Sequence, residues 1–170
     1  EEVVAHHRPK TLGVPGQEEL AMGAIASGGV RVINEDVAEM LRIPEEMIEE
    51  VAAKEKEELE RRERLYRGDR PGLDAQGRVA ILIDDGLATG STMRAAAAAV
   101  RGQQPTRIVV ATPVAAASTC AELRNEVDEV VCAETPEPFY AISLWYRDFT
   151  QTTDDEVREL LARGARSVAA

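Results

Sequence analysis

The chain has 170 residues, 44% of them apolar, which is enough for one domain with a buried core and shows no sign of disorder. Its 20 basic and 31 acidic residues give a formal net charge of −11, and with no local basic patch this argues against a nucleic acid backbone or an anionic membrane surface as partner. There is no secretory signal and no membrane span, and the only two cysteines, Cys120 and Cys132, sit in apolar contexts without metal-ligand spacing, so a soluble cytoplasmic protein with buried free thiols is expected.

Taken from the N-terminus, residues 1–11, EEVVAHHRPKT, read as an irregular segment at the start of a single domain over residues 1–170. His6 and His7 read as solvated side chains rather than metal ligands, and Lys10 as a surface charge rather than a phosphate contact. Residues 12–29, LGVPGQEELAMGAIASGG, read as loop, strand and turn. Leu20 to Ile25, Ser27-Gly28-Gly29 and Val30 to Ile33 then form a predicted hairpin whose glycines supply positive φ. Asn34 to Ile43 is a short helix candidate. Glu45 to Arg67, after Pro44, is a longer and densely charged one, with Glu50/Lys54, Glu57/Arg61, Glu58/Arg62 and Glu60/Arg64 spaced by four, each pair adding about 0.2–0.5 kcal/mol. Its apolar stripe of Met47, Ile48, Val51, Ala52, Leu59 and Tyr66 is narrow and predicts a limited packing seam.

The most informative stretch is Arg78 to Arg94, RVAILIDDGLATGSTMR. Val79 to Ile83 is an unbroken apolar run, the pattern of a strand buried on both faces of a parallel sheet. Asp84 and Asp85 follow at its carboxyl end, then Gly86, Leu87, Ala88, Thr89, Gly90, Ser91 and Thr92, then a helix rich in alanine. A helix start leaves N–H groups unpaired and carries partial positive charge, so small residues there let the backbone close on a phosphate, while two adjacent carboxylates can accept bonds from sugar hydroxyls. Adjacent carboxylates repel unless a ligand or cation offsets them, which weighs against an ordinary turn; Mg²⁺ held by the acids alone is a further reading. The stretch matches neither a P-loop, which needs Lys where Ser91 stands, nor a dinucleotide fingerprint, nor a nucleophile elbow.

Beyond it, Gly102 and Pro105 end the helix, Arg107 to Pro113 reads as a second buried strand, Ala116 to Asn125 as a helix and Asp128 to Cys132 as a third strand, predicting parallel βαβ units. Ala95 to Ala99 reads as a close-packing surface. Phe139, Tyr140, Trp145, Tyr146 and Phe149 cluster in a chain only 4% aromatic, so something flat or apolar is covered there or a core or dimer interface is completed. Thr153 caps a terminal helix to Arg163 with Asp154, Asp155 and Glu156 in its first turn, and the residues after Gly164 read as a frayed tail.

Residues 79–92, VAILIDDGLATGST, resemble the phosphoribosyl pyrophosphate (PRPP) signature of the type I phosphoribosyltransferase family; the resemblance to the family runs over roughly residues 12–163, and residues 12–34 resemble an uncharacterised bacterial branch of it. The resemblance implies an α/β, Rossmann-like parallel-sheet fold with a hairpin and a long charged helix before the central strand and a C-terminal hood over residues 136–150. It implies that Asp84 and Asp85 hold the ribose 2′ and 3′ hydroxyls, with Mg²⁺ reached through water or those hydroxyls. Gly86, Leu87, Ala88, Thr89, Gly90, Ser91 and Thr92 form the ribose-phosphate loop, its 5′-phosphate cradle running from Ala88. It further implies that Phe139, Trp145 and Asp148 meet the acceptor base, and that Tyr66, Arg67 and Arg70 border a loop that closes over pyrophosphate. Glu18 and Glu19 are candidates for a Mg²⁺-pyrophosphate contact, although exposed loop acids fit them as well. The family's N-terminal strand and its pyrophosphate loop have no counterpart in residues 1–11, and Ala88 stands where hypoxanthine-type relatives carry Asp. The activity implied is transfer of phosphoribose from PRPP to a nitrogen acceptor in nucleotide metabolism, by a homo-oligomer, expected to be a dimer. The alternative is a non-catalytic module that binds PRPP or a nucleotide.

Overall fold

The computed structural model describes residues 2–5, 9–67 and 74–168. Two sheets sandwich one helix. The larger is parallel, in the order β1 (Glu2–Ala5), β5 (Val79–Ile83), β6 (Arg107–Val114), β7 (Glu129–Glu134). The smaller is antiparallel, in the order β2 (Lys10–Val14), β3 (Gln17–Ile25), β4 (Arg31–Ile33). Helix α3 (Ser91–Arg101) lies between them.

Both faces of α3 must be small for this to work, and the alanine run provides that. Ala96, Ala97, Met93 and Val100 pack on Ala80, Leu82, Ile108 and Val110 of the parallel sheet. Ala95 and Ala99 pack on Ala24 and Ala26 of the antiparallel one. Helix α4 (Ala117–Leu123) covers the same face of the parallel sheet through Cys120 and Leu123, as same-handed βαβ crossovers require. On the opposite face Val79, Ile81, Val109 and Ala111 are half-buried, while Ile83 and Val131 are exposed. The expectation of a central strand buried on both faces is therefore met on one face only.

Before the central strand, α1 (Glu35–Met40) is capped by Asn34, whose side chain accepts from Val37 N at 3.3 Å. Helix α2 (Glu45–Arg67) has the expected bounds and lays Ile48 and Ala52 on Leu12, Met22 and Ile25 of the small sheet. Of its expected pairs, Glu58/Arg62 and Glu60/Arg64 form, whereas Arg61 turns to Glu58 instead of Glu57. Arg61 and Arg62 together hold the Glu58 carboxyl at about 2, the Arg61 hydrogen bond contributing most. Helix α5 (Asp154–Val168) docks on α2, with Tyr66 Oη donating to Asp154 at 2.5 Å and Arg61 3.4 Å from the same carboxylate.

Four expectations are corrected. The N-terminal segment is not irregular in its described part: Glu2–Ala5 pairs in parallel register with Val79 to Leu82, the open edge of β5 supplying a partner that no local pattern reveals. Lys10–Val14 is a third strand of the small sheet rather than a loop, closed onto β3 through Pro15-Gly16. Cys120 and Cys132 are joined in a disulfide, because α4 packs on β7 and brings their Cα atoms within 6.8 Å. The tail beyond Gly164 continues α5 to Val168. The predicted hairpin forms as expected, with Gly28 and Gly29 at φ of 77° and 78°.

Candidate active site at the carboxyl end of β5

Strand β5 ends at Ile83 and delivers Asp84 and Asp85 to the carboxyl edge of the sheet, where open α/β sheets bind ligands. Asp84 is half-buried and its Oδ1 accepts from the Asp85 N–H at 3.0 Å; Asp85 is exposed. The chain then runs from Gly86 to Gly90 as a loop whose carbonyls are all but one tied to groups elsewhere. Tyr146 Oη donates to the Asp85 carbonyl at 2.5 Å. Ala116 N donates to the Leu87 carbonyl at 2.9 Å, and Leu87 N donates to Val114 O at 3.0 Å, so Leu87 is buried and anchors the loop to β6. Thr119 Oγ1 donates to the Ala88 carbonyl at 2.6 Å and Arg94 Nη1 to the Thr89 carbonyl at 2.8 Å.

The amide groups show the complementary pattern. The N–H groups of Gly86, Ala88, Thr89, Gly90, Thr92 and Met93 have no acceptor among the described residues, and Ser91 N reaches only Thr89 Oγ1, at 3.4 Å. Thr89 Oγ1 and Ser91 Oγ lie 3.1 Å apart and face the same turn. No acidic residue occupies the first turn of α3. Unpaired amides, two hydroxyls and the positive end of a helix dipole are together the chemistry of an anion cradle, and we call this loop the cradle.

Two glycines are required by contacts. Gly90 adopts φ 73° at the helix start, and a Cβ there would stand 2.8 Å from Thr119 Cγ2. At Gly86 a Cβ would meet Ile142 Cγ2 at 2.5 Å, so the segment 136–150 closes directly on the loop. That segment carries a 3₁₀ turn over Ile142–Trp145.

The electrostatics follow from these contacts. Burial, then the charges of Asp85 and Asp84, raise the Tyr146 pKa, so the phenol stays a donor. The Arg94 guanidinium is opposed by burial, but Glu126 (2.7 Å) and Glu122 (2.7 Å) outweigh that and raise its pKa.

Asp84 through Thr92 thus run from the end of β5 into the first turn of α3. The structure treats the acceptor candidates unequally. Phe139 is half-buried and Trp145 half-exposed, whereas the Asp148 carboxylate accepts from Thr150 N at 2.9 Å and Thr150 Oγ1 at 2.5 Å, which lowers its pKa and engages it locally. The residues that touch the loop are instead Tyr146 and Ile142, which sequence reasoning did not single out as site residues. Lys10 is paired with Glu55 at 3.2 Å, in keeping with a surface charge, and Tyr66 is bonded to α5. Residues 6–8 and 68–73, which include His6, His7 and Arg70, and the side chains of Glu18, Glu19 and Arg67 lie outside the described residues. No group of three or more metal-ligating side chains occurs among the described residues, and no described helix is long and apolar enough to cross a membrane.

Comparison with known proteins agrees with this geometry. The family model "Phosphoribosyl transferase domain" matches residues 15–144. Two Mycobacterium tuberculosis proteins, named "Putative phosphoribosyl transferase MT0597" (strain CDC 1551 / Oshkosh) and "Putative phosphoribosyl transferase Rv0571c" (strain ATCC 25618 / H37Rv), are 41% identical over 160 residues, 94% of this chain. The chain spans only 36% of the length of those relatives. The crystal structure of TT1426 from Thermus thermophilus superposes with a TM-score of 0.70 at 35% identity, covering 92% of this chain and 74% of that one. With the matched residues running from the small sheet through the acid pair and the cradle to the 3₁₀ turn, the chain belongs to the phosphoribosyl transferase domain family.

Proposed function

We propose that this domain binds PRPP and transfers its phosphoribosyl group to a nitrogen acceptor. The observation that carries the reading is the acid pair set one loop away from a row of unpaired amides, two groups whose chemistry suits the two ends of a ribose 5-phosphate: hydroxyls on Asp84 and Asp85, the 5′-phosphate on Ala88 to Thr92. In the reaction the bond from ribose C1 to the pyrophosphate oxygen breaks, pyrophosphate leaves with the electron pair, the C1–N bond forms and the acceptor nitrogen loses a proton. A transition state with oxocarbenium character gains most from a ribose held rigidly, and the tied-down loop supplies such rigidity. Two neighbouring carboxylates suit Mg²⁺, which binds through one or two carboxylates, waters and substrate phosphates. When bound beside Asp84 and Asp85 it would neutralise the departing pyrophosphate. Phe139 and Trp145 would flank the acceptor.

A binding-only role, in which the same acid pair and loop hold PRPP or a nucleotide without turnover, is the second reading. Incubation with PRPP, Mg²⁺ and a panel of nucleobases, monitored for pyrophosphate, separates the two. Base-dependent pyrophosphate release is expected of the enzyme; PRPP binding without release with any base would leave the binding module.

A further inference from the structure

The loop amides can serve a phosphate only if their peptide planes are turned the right way, and two side chains outside the loop control that. In a trans peptide the C=O and N–H point in opposite directions, so fixing one carbonyl fixes the next residue's amide. Thr119 is 5% exposed and holds the Ala88 carbonyl at 2.6 Å. Its methyl simultaneously abuts Gly90. The Arg94 guanidinium holds the Thr89 carbonyl at 2.8 Å and is itself fixed by Glu122 and Glu126, so its bonds all serve to set one geometry. Thr119 and Glu122 both lie on α4, with Glu126 just beyond its end, which makes α4 a template for the loop.

We infer that Thr119 and Arg94 are positioning residues of the phosphate cradle: by holding the Ala88 and Thr89 carbonyls outward, they aim the Thr89 and Gly90 N–H groups at the bound 5′-phosphate. This rests on the ribose-phosphate reading of the loop. It adds that cradle affinity is set from α4, by groups that never touch the ligand. A tie that merely stiffened the fold would change melting temperature without singling out one amide.

The test is amide NMR of the whole ¹⁵N-labelled chain titrated with ribose 5-phosphate and, separately, inorganic phosphate. In the wild type both the Thr89 and Gly90 amides should shift on binding. Thr119→Val, which keeps the shape and removes the donor, should weaken ribose 5-phosphate binding about tenfold and abolish the Thr89 response, with Thr119→Ser restoring both. Arg94→Met should abolish the Gly90 response. Should either variant fail to fold, the Glu122→Ala/Glu126→Ala pair, both side chains at the surface, releases Arg94 without touching the loop and should weaken the Gly90 response. A wild type that binds while these variants bind equally well, with both amides responding, overturns the inference alone. A wild type that binds neither probe overturns the site reading and the inference with it.

Discussion

The cradle and the hood face each other across Gly86 but are built in opposite ways. From Leu87 to Thr89 every carbonyl is bonded to another element, Leu87 and Ser91 are buried, and the following helix is packed on both sides. Over 136–150 the order rests on a 3₁₀ turn, a Tyr146/Phe149 ring contact at 5.1 Å, the Asp148–Thr150 bonds and two touches on the loop, while Tyr140, Leu144, Trp145 and Phe149 stay exposed. The difference teaches where a fixed structure and a variable one are each suited. A ribose phosphate offers the same atoms whatever the acceptor, so its receptor can be rigid. A segment proposed to meet the acceptor would gain from a lightly held scaffold whose side chains can be exchanged.

The contrast can be broken most severely at Gly90. Gly90→Val forces a β-branched residue into φ 73° and drives its Cβ against Thr119, so both ribose 5-phosphate binding and stability should collapse, by about 2 kcal/mol or more in denaturant unfolding. Next comes the Asp84→Asn/Asp85→Asn pair, expected to weaken PRPP binding at least about tenfold with an unchanged melting temperature. Unchanged affinity in the folded double variant would rule out the proposed role of the acids. Tyr146→Phe removes only the hood's bond to the Asp85 carbonyl and should cost about 1 kcal/mol or less. Limited proteolysis should then cut within 136–150 sooner while the cradle remains protected.

The smallest effect lies far from both regions. The Glu58 carboxyl sits at about 2 instead of the ordinary 4.5, so its contribution is fully present above pH 4.5 and lost as pH falls towards 2. The pair is at the surface, so Glu58→Gln should remove under about 1 kcal/mol of α2 stability at pH 7 and nothing at pH 2, measurable as a converging difference in melting temperature.

What could be read from the sequence divides along the same line. The strand, loop and helix from Val79 to Arg101 were legible because their signals are local: an apolar run, small residues and a train of alanines within one continuous stretch. Helix α2 and the Thr153 cap of α5 were legible for the same reason; Glu156 N donates to Thr153 Oγ1 at 3.3 Å, and Thr153 N donates back to the Glu156 carboxylate at 2.8 Å, closing a capping box. What escaped depends on distant partners. Strand β1 exists by pairing with a segment 77 positions away, and the Cys120–Cys132 bond depends on how α4 meets β7. The ties that shape the cradle span 31 positions from Ala88 to Thr119 and 61 from Asp85 to Tyr146. Asp148, in contrast, is bonded within its own turn, its Oδ1 accepting from Thr150 two positions on.

The central claim is that the acid pair and the cradle together form a receptor for ribose phosphate. Isothermal titration of the purified chain with PRPP and Mg²⁺, with ribose 5-phosphate and AMP as comparisons, tests it most directly. Saturable binding of PRPP and of ribose 5-phosphate at one site per chain is expected, weakened at least about tenfold in the Asp84→Asn/Asp85→Asn variant. Absence of binding by all three ligands in the folded protein would contradict it, and would mean that the motif persists here as architecture alone.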